Sequence, residues 1–169
     1  MYMELENFQD IIDFPKYMIN ENGDIYSKYK NKLLKPGLIK SGYKGVILTR
    51  DKKNIHKTIH RLLGLQYLPN PDNKPCIDHK NRNRQDNSLN NLRWVSYSQN
   101  AKNKTSKPNS TSRFIGVRKT NNKKKPYRVE TTYEGKKYHI GYYEIEEEGF
   151  EAYKKFNLDN FDIEILEIA

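Results

Sequence analysis

An acid stands directly before a histidine at Asp78-His79, and an amide follows 22 residues later at Asn100. Between them run an Asn-rich loop and the segment Asn90-Asn91-Leu92-Arg93-Trp94-Val95. A histidine is the side chain whose ordinary pKa suits proton abstraction near neutral pH. A carboxylate and a neutral amide offer hard oxygens to a divalent cation that keeps waters and takes phosphate oxygens. Together they could deprotonate water, offset charge on phosphorus and line up a nucleophile, which is what cutting a phosphodiester requires. On a regular strand Asp78 and His79 point to opposite sides. Serving one centre therefore asks for a bend, and the Asn-rich loop makes one plausible.

The charge distribution points to a polyanion as the matching partner. The net charge is +10 over 169 residues. Residues 1–26 and 144–169 hold three lysines and fifteen acids, so residues 27–143 keep 28 Lys/Arg against 6 acids, a local net of +22. Interleaved with Tyr, Asn and His, this is the footprint of a nucleic-acid binder. One cysteine, Cys76, excludes a disulfide framework and a multi-cysteine zinc finger. It reads as ribbon core rather than ligand. No run approaches the roughly 18 apolar residues of a membrane span, and the acidic start has no signal pattern, so a soluble intracellular chain (cytoplasm or nucleus) is expected.

The elements that must position these residues are short. With hydrophobic content at 35% and charged content at 31%, small β-rich modules fit better than one large core. The acidic start up to residue 14 is read as a single helical turn. Tyr17–Ile19 and Ile25–Ser27 flank an Asn-Gly turn, a hairpin signal. Strands follow over 43–48 and 54–59. A helix is expected over 60–68, with Leu62, Leu65 and Leu68 on its buried side and His60 packed or capping at its start. Pro69 and Pro71 end it. Residues 101–112 lose all large apolar side chains and read as a basic tether. Beyond it, strands over 114–119, 127–133 and 136–143 precede a helix whose face is Ile145, Gly149, Ala152 and Phe156, and a last strand is expected over Ile163 and Ile165. Alternation puts Tyr127, Val129, Thr131, Tyr138, Ile140 and Tyr142 toward that helix. Arg128, Glu130, Thr132, Lys137 and His139 then face outward.

The D-H, N-N-L-R-W and Q-N segments resemble the HNH nucleases, whose site is a two-stranded ribbon followed by a helix gripping one metal. The resemblance implies His79 as general base, Asp78 and Asn100 as ligands of Mg²⁺ (or another divalent cation such as Mn²⁺), and Asn91 as the residue that fixes the ribbon and orients the histidine. An Asn at the last place is typical of homing endonucleases from introns, phages and large DNA viruses. The I-H-R-L-L-G and P-N-P segments resemble what precedes the site in that branch, and the hairpins over 15–35 a small module often joined to it. Ser112 to Tyr153 resembles the DNA-binding domain of plant ethylene-responsive factors, a three-stranded sheet in the major groove with a helix behind. Ile115 stands where that domain has an arginine, so its base specificity does not carry over.

The expected architecture is α+β: a small antiparallel module over 1–58, the ββα-metal core over 59–104, a linker over 105–112, and the sheet-plus-helix domain over 113–169. The expected function is site-selective cutting of double-stranded DNA, nicking one strand as a monomer. No membrane and no small-molecule cofactor is expected. Candidate DNA contacts are Arg82, Arg84, Lys102, Lys104, Arg118, Lys119, Arg128, Lys137 and His139, with Arg118 and Arg128 foremost. The alternative is a DNA-binding regulator with a vestigial site.

Overall fold

A computed structural model describes residues 5–103, 109–161 and 163–165. The chain divides into two compact units, Met1–Val95 and Ser96–Ala169. The division falls inside the expected 59–104 core.

The first unit is built from β1 (Gln9–Ile11), β2 (Phe14–Ile19), β3 (Ile25–Ser27) and β4 (Lys32–Leu34), an antiparallel sheet in sequence order. A second sheet joins β5 (Gly37–Leu38), β6 (Lys44–Arg50) and β7 (Lys53–Thr58). The acidic start thus pairs as a strand, Gln9 opposite Ile19, where a helical turn was expected. Ile11 and Phe14 enter the core, and burial in a sheet outweighs weak local preference. Between β2 and β3, the Asn20 side-chain oxygen accepts from the backbone N–H groups of Asn22 (3.1 Å) and Asp24 (2.9 Å). A short side chain with an acceptor oxygen suits the start of this turn for that reason.

Helix α1 (Ile59–Tyr67) buries Ile59, Leu62 and Leu63 against both sheets. Leu62 is buried and Leu68 packs against the core as expected, but Leu65 is 46% exposed, and Ile59 and Leu63 complete the buried stripe. Gly64 faces β8 (Cys76–His79): a Cβ there would lie 2.3 Å from Ile77 Cδ1. Hydrogen at this position lets the helix sit against the strand that carries Asp78 and His79. The end of α1 is fastened to the ribbon as well. Trp94 Nε1 donates to the Leu68 carbonyl (3.1 Å), and the Arg61 guanidinium lies over the Trp94 ring while donating to the Pro75 carbonyl (2.6 Å).

The second unit begins with α2 (Tyr97–Lys102), capped by Ser96 and Gln99 in a reciprocal box. It continues with β10 (Val117–Lys119), β11 (Tyr127–Tyr133) and β12 (Lys136–Tyr143), an antiparallel sheet, and α3 (Glu146–Phe161). Val117, Val129, Phe150, Tyr153, Ile163 and Ile165 form its core. Ile163 and Ile165 are buried but belong to no strand.

Two expected faces are displaced here. The buried side of α3 is Gly149, Phe150, Tyr153 and Asn157, about one residue out of phase with the expected set, and Ile145 is 52% exposed. In β12, Val129 pairs with Gly141 but Glu130 pairs with His139, so Ile140 is an inserted residue. This bulge moves the alternation by one position. Tyr142 consequently lies opposite Arg128, outward and beside His139 (5.0 Å between rings), rather than on the helix side.

Candidate functional site

β8 pairs with β9 (Leu92–Val95) as a two-stranded ribbon, with Asp78 opposite Arg93 and His79 opposite Leu92. The register is regular through His79, the chain turns immediately after it, and the two side chains meet different neighbours. Asp78, 8% exposed, accepts from Nε and Nη2 of Arg93, each at 3.2 Å. This guanidinium compensates a carboxylate that would otherwise be costly to bury.

His79, 3% exposed, lies among rings and an amide. Its Nε2 is 3.0 Å from Asn87 Oδ1. An amide oxygen only accepts, so this contact has Nε2 as the donor, the tautomer that puts the lone pair of a neutral imidazole on Nδ1. Around the imidazole stand Tyr43 (centroids 5.7 Å apart, stacked) and His60 (5.1 Å, edge-on).

The loop between the strands is shaped by amides. Asn91 Oδ1 accepts from the Asn81 N–H (2.9 Å) and its Nδ2 donates to the Asp86 carbonyl (2.7 Å). The Asn91 carbonyl accepts from the Lys80 N–H at 2.8 Å. One buried asparagine therefore ties both sides of the loop to the ribbon end. Asn81 Nδ2 adds a bond to Asp86 Oδ2 (2.7 Å). Ser88 hydrogen bonds, foremost its hydroxyl, hold the Asp86 carboxyl below its ordinary range.

His60 is neutral in this setting. Burial, then the charges of His79 and Arg61, push its pKa from 6.5 down to about 4. Unfolded chain takes up that proton near pH 6.5 and folded chain only near pH 4, so the unfolded state gains protons first as pH falls. Stability is full above the unfolded value and should drop across the window from about pH 6.5 to about pH 4, by on the order of 2–3 kcal/mol. Urea unfolding of wild type and His60→Phe across this range checks it; the variant should show a flatter profile.

The remaining candidates separate by position. Asn100 is half-buried in the middle of α2, its N–H bonded to the Ser96 carbonyl at 2.9 Å. Arg82 adopts a left-handed backbone (φ 62°), donates its N–H to the His79 carbonyl (2.9 Å), and burial lowers its pKa. Arg84 lies over the Tyr43 ring (5.1 Å) and donates to the Ser41 carbonyl (2.7 Å). Arg118, Arg128 and Tyr142 form one row across the outer face of the sheet, with His139 and Lys137 farther along β12. Arg128 is also paired with Glu130. Lys119 lies opposite Tyr127 and so falls on the other side of the sheet. Lys104 lies outside the described residues.

Lys102 departs most from expectation. It is 5% exposed, and its amine donates to Thr131 Oγ1 and Asn157 Oδ1 beside the Tyr153 and Phe161 rings. Burial pushes its pKa from 10.5 down to about 8. An enclosed amine has no path to a phosphate. Lys102→Met should therefore leave duplex affinity at the wild-type level in fluorescence anisotropy, while Arg118→Ala weakens it. An equal loss at both positions would return Lys102 to the DNA surface.

Among the described residues no three His, Cys, Asp or Glu side chains gather as a metal cage. Asp78, a buried hard carboxylate donor already accompanied by the Arg93 guanidinium, suits a weakly held cation that keeps most of its waters. Arg93, Asn87 and Tyr43 were not legible as site residues. A cross-strand pairing of Asp78 with Arg93, which follows once the ribbon's register is set, is the signal that finds the first.

Comparison with known proteins joins this geometry to a family. Residues 57–102 match the model of the HNH endonucleases. The chain is 38% identical over 84 residues to an uncharacterized HNH endonuclease of Acanthamoeba polyphaga mimivirus, covering 50% of this chain and 26% of the relative. It is 40% identical over 92 residues to the H-N-H endonuclease F-TflII of Escherichia phage T5, covering 53% and 48%. Among solved structures, that of the HNH homing endonuclease I-HmuI, in a study of DNA binding and cleavage, matches with TM-score 0.53 and 30% identity over 57% of this chain and 56% of that one. The chain thus spans between a quarter and about half of these relatives. No helix among the described residues is long and apolar enough to cross a membrane. Residues 57–102, which include α1, the β8–β9 ribbon and α2, carry the pattern of the HNH endonuclease family.

Proposed function

We propose that this chain is a site-selective DNA endonuclease of the homing type that hydrolyses a phosphodiester with one divalent metal and nicks one strand as a monomer. The observation that carries the reading is the buried Asp78-His79 pair at the end of a ribbon, with the imidazole oriented by Asn87. His79 accepts the proton of the attacking water at Nδ1. Asn87 keeps the other nitrogen protonated, and Asn91 keeps the loop that carries Asn87 in place. Asp78 and Asn100 would hold Mg²⁺ or Mn²⁺, which when bound supplies positive charge to the phosphate and the leaving oxygen.

The sheet β10–β12 is the proposed reader of duplex DNA, in the manner of the ethylene-responsive-factor domain. Arg118, Arg128, Lys137, His139 and Tyr142 form its nucleic-acid face, and two-stranded or wider β surfaces fit the major groove. The cutter's modest grip is strengthened by a tethered reader through effective concentration. The basic loops of the first unit supply further phosphate contacts.

Metal removal tests the reading. Supercoiled plasmid incubated with the chain and Mg²⁺ should turn into the open circle. EDTA should stop the conversion, and restored Mg²⁺ or Mn²⁺ should return it. Shifted mobility without any cut across metals and targets would make the chain a DNA-binding regulator.

A further inference from the structure

We propose that Tyr43 and His60 are positioning residues for His79, two rings that set the plane of its imidazole. The inference rests on the reading of His79 as the base. The three rings come from separate places in the first unit: Tyr43 just before β6, His60 in the first turn of α1, His79 at the end of β8. They nevertheless meet as a closed cluster, with Tyr43 and His60 4.6 Å apart and each within 5.7 Å of His79. The hydrogen bond at Nε2 anchors one end of the imidazole, and what packs on its sides sets the tilt. Tyr43 lies nearly parallel to it at 28° between planes, and His60 meets it edge-on at 66°. Such pairs favour offset-stacked and edge-to-face geometries, so the cluster has a preferred arrangement.

Two observations mark this cluster. First, His60 Nδ1 is buried without a hydrogen-bond partner. That nitrogen makes no polar contact, so what position 60 supplies to the cluster is a flat ring, which phenylalanine also supplies. Second, the loop that follows His79 returns to the same tyrosine: Arg84 covers the Tyr43 ring and bonds the Ser41 carbonyl. Tyr43 is therefore gripped by Arg84 and packed against both histidines. Loop, sheet and helix all meet at the imidazole.

The test compares shape with flatness. In single-turnover nicking by the full chain with Mg²⁺, His60→Leu and Tyr43→Leu should lower the rate constant about 10- to 100-fold with DNA affinity unchanged. His60→Phe and Tyr43→Phe, which keep a flat ring, should restore wild-type-like rates. A second arm reads position without activity. The ring-proton resonances of His79, identified by their loss in His79→Ala, should move and broaden in Tyr43→Leu and stay in place in Tyr43→Phe. Leucine variants that cut at the wild-type rate overturn the inference, as do folded phenylalanine variants that fail to restore it, or His79 resonances indifferent to Tyr43→Leu. A wild-type chain that cuts no plasmid would refute the nuclease reading alone. The resonances would still decide whether the two rings hold His79.

Discussion

His79→Ala should reduce nicking by about 10²- to 10⁴-fold, the range that a positioned general base contributes. DNA binding should survive the change. The substitution lies in the first unit, leaves the residues of the β10–β12 sheet unchanged, and leaves Asn91 and its bonds to Asn81 and Asp86 intact. The expected result is a protein that retards DNA as well as wild type yet leaves supercoiled plasmid uncut. Loss of binding together with cutting would mean that the substitution had collapsed the ribbon end. Asn87→Ala should lie between wild type and His79→Ala. It removes the group that keeps the proton on Nε2 while leaving the base in place, so its deficit belongs to the rate constant and not to affinity.

The second large effect concerns folding of the second unit. Gly116 has φ +79°, and a Cβ there would lie 2.1 Å from Cε2 of Tyr153, itself 3% exposed. Gly116→Ala therefore meets two independent penalties. A left-handed backbone costs an L-residue about 1 kcal/mol or more, and overpacking against a buried ring adds roughly 1–3 kcal/mol. The tyrosine is a whole ring wedged beside Phe150, so it has little room to swing away. A loss of about 3 kcal/mol should lower the melting temperature of a unit this size by more than 10 °C. Calorimetry should show the transition of the second unit moving and that of the first unit staying. If both stay, the Tyr153 side yields more easily than its burial implies.

Much of the site was readable from residue types and spacing because the chemistry is local. Asp78, His79 and the ribbon segments lie within one stretch, and polar side chains in such a pattern have few structural reasons to be there. The ribbon itself was implied by the resemblance of the D-H and N-N-L-R-W segments to the HNH nucleases, and β8 and β9 do pair. What escaped detection depends on contacts far apart in the chain. Tyr43 is 36 residues from His79, and nothing in its own neighbourhood marks it. Lys102 looked like one more cation in a basic tract. Its enclosure needs Thr131, Asn157, Tyr153 and Phe161 to converge, which only tertiary folding arranges. The displaced face of α3 has a simpler cause. Several neighbouring apolar residues fit a helical stripe equally well, and the sheet selects Phe150 and Tyr153 over Ile145 and Ala152.

For the reader proposed above, the extra residue in β12 decides which side chains would be varied to change sequence preference. Strict every-second-residue reasoning would randomise 138, 140 and 142 as one set and 137 and 139 as another. With Ile140 inserted, the outward series on this strand is 137, 139 and 142. A library for new sequence preference should therefore vary Arg118, Arg128, His139 and Tyr142 together. Tyr138 and Ile140 should be left alone, since they support the framework and variation there would cost folded clones.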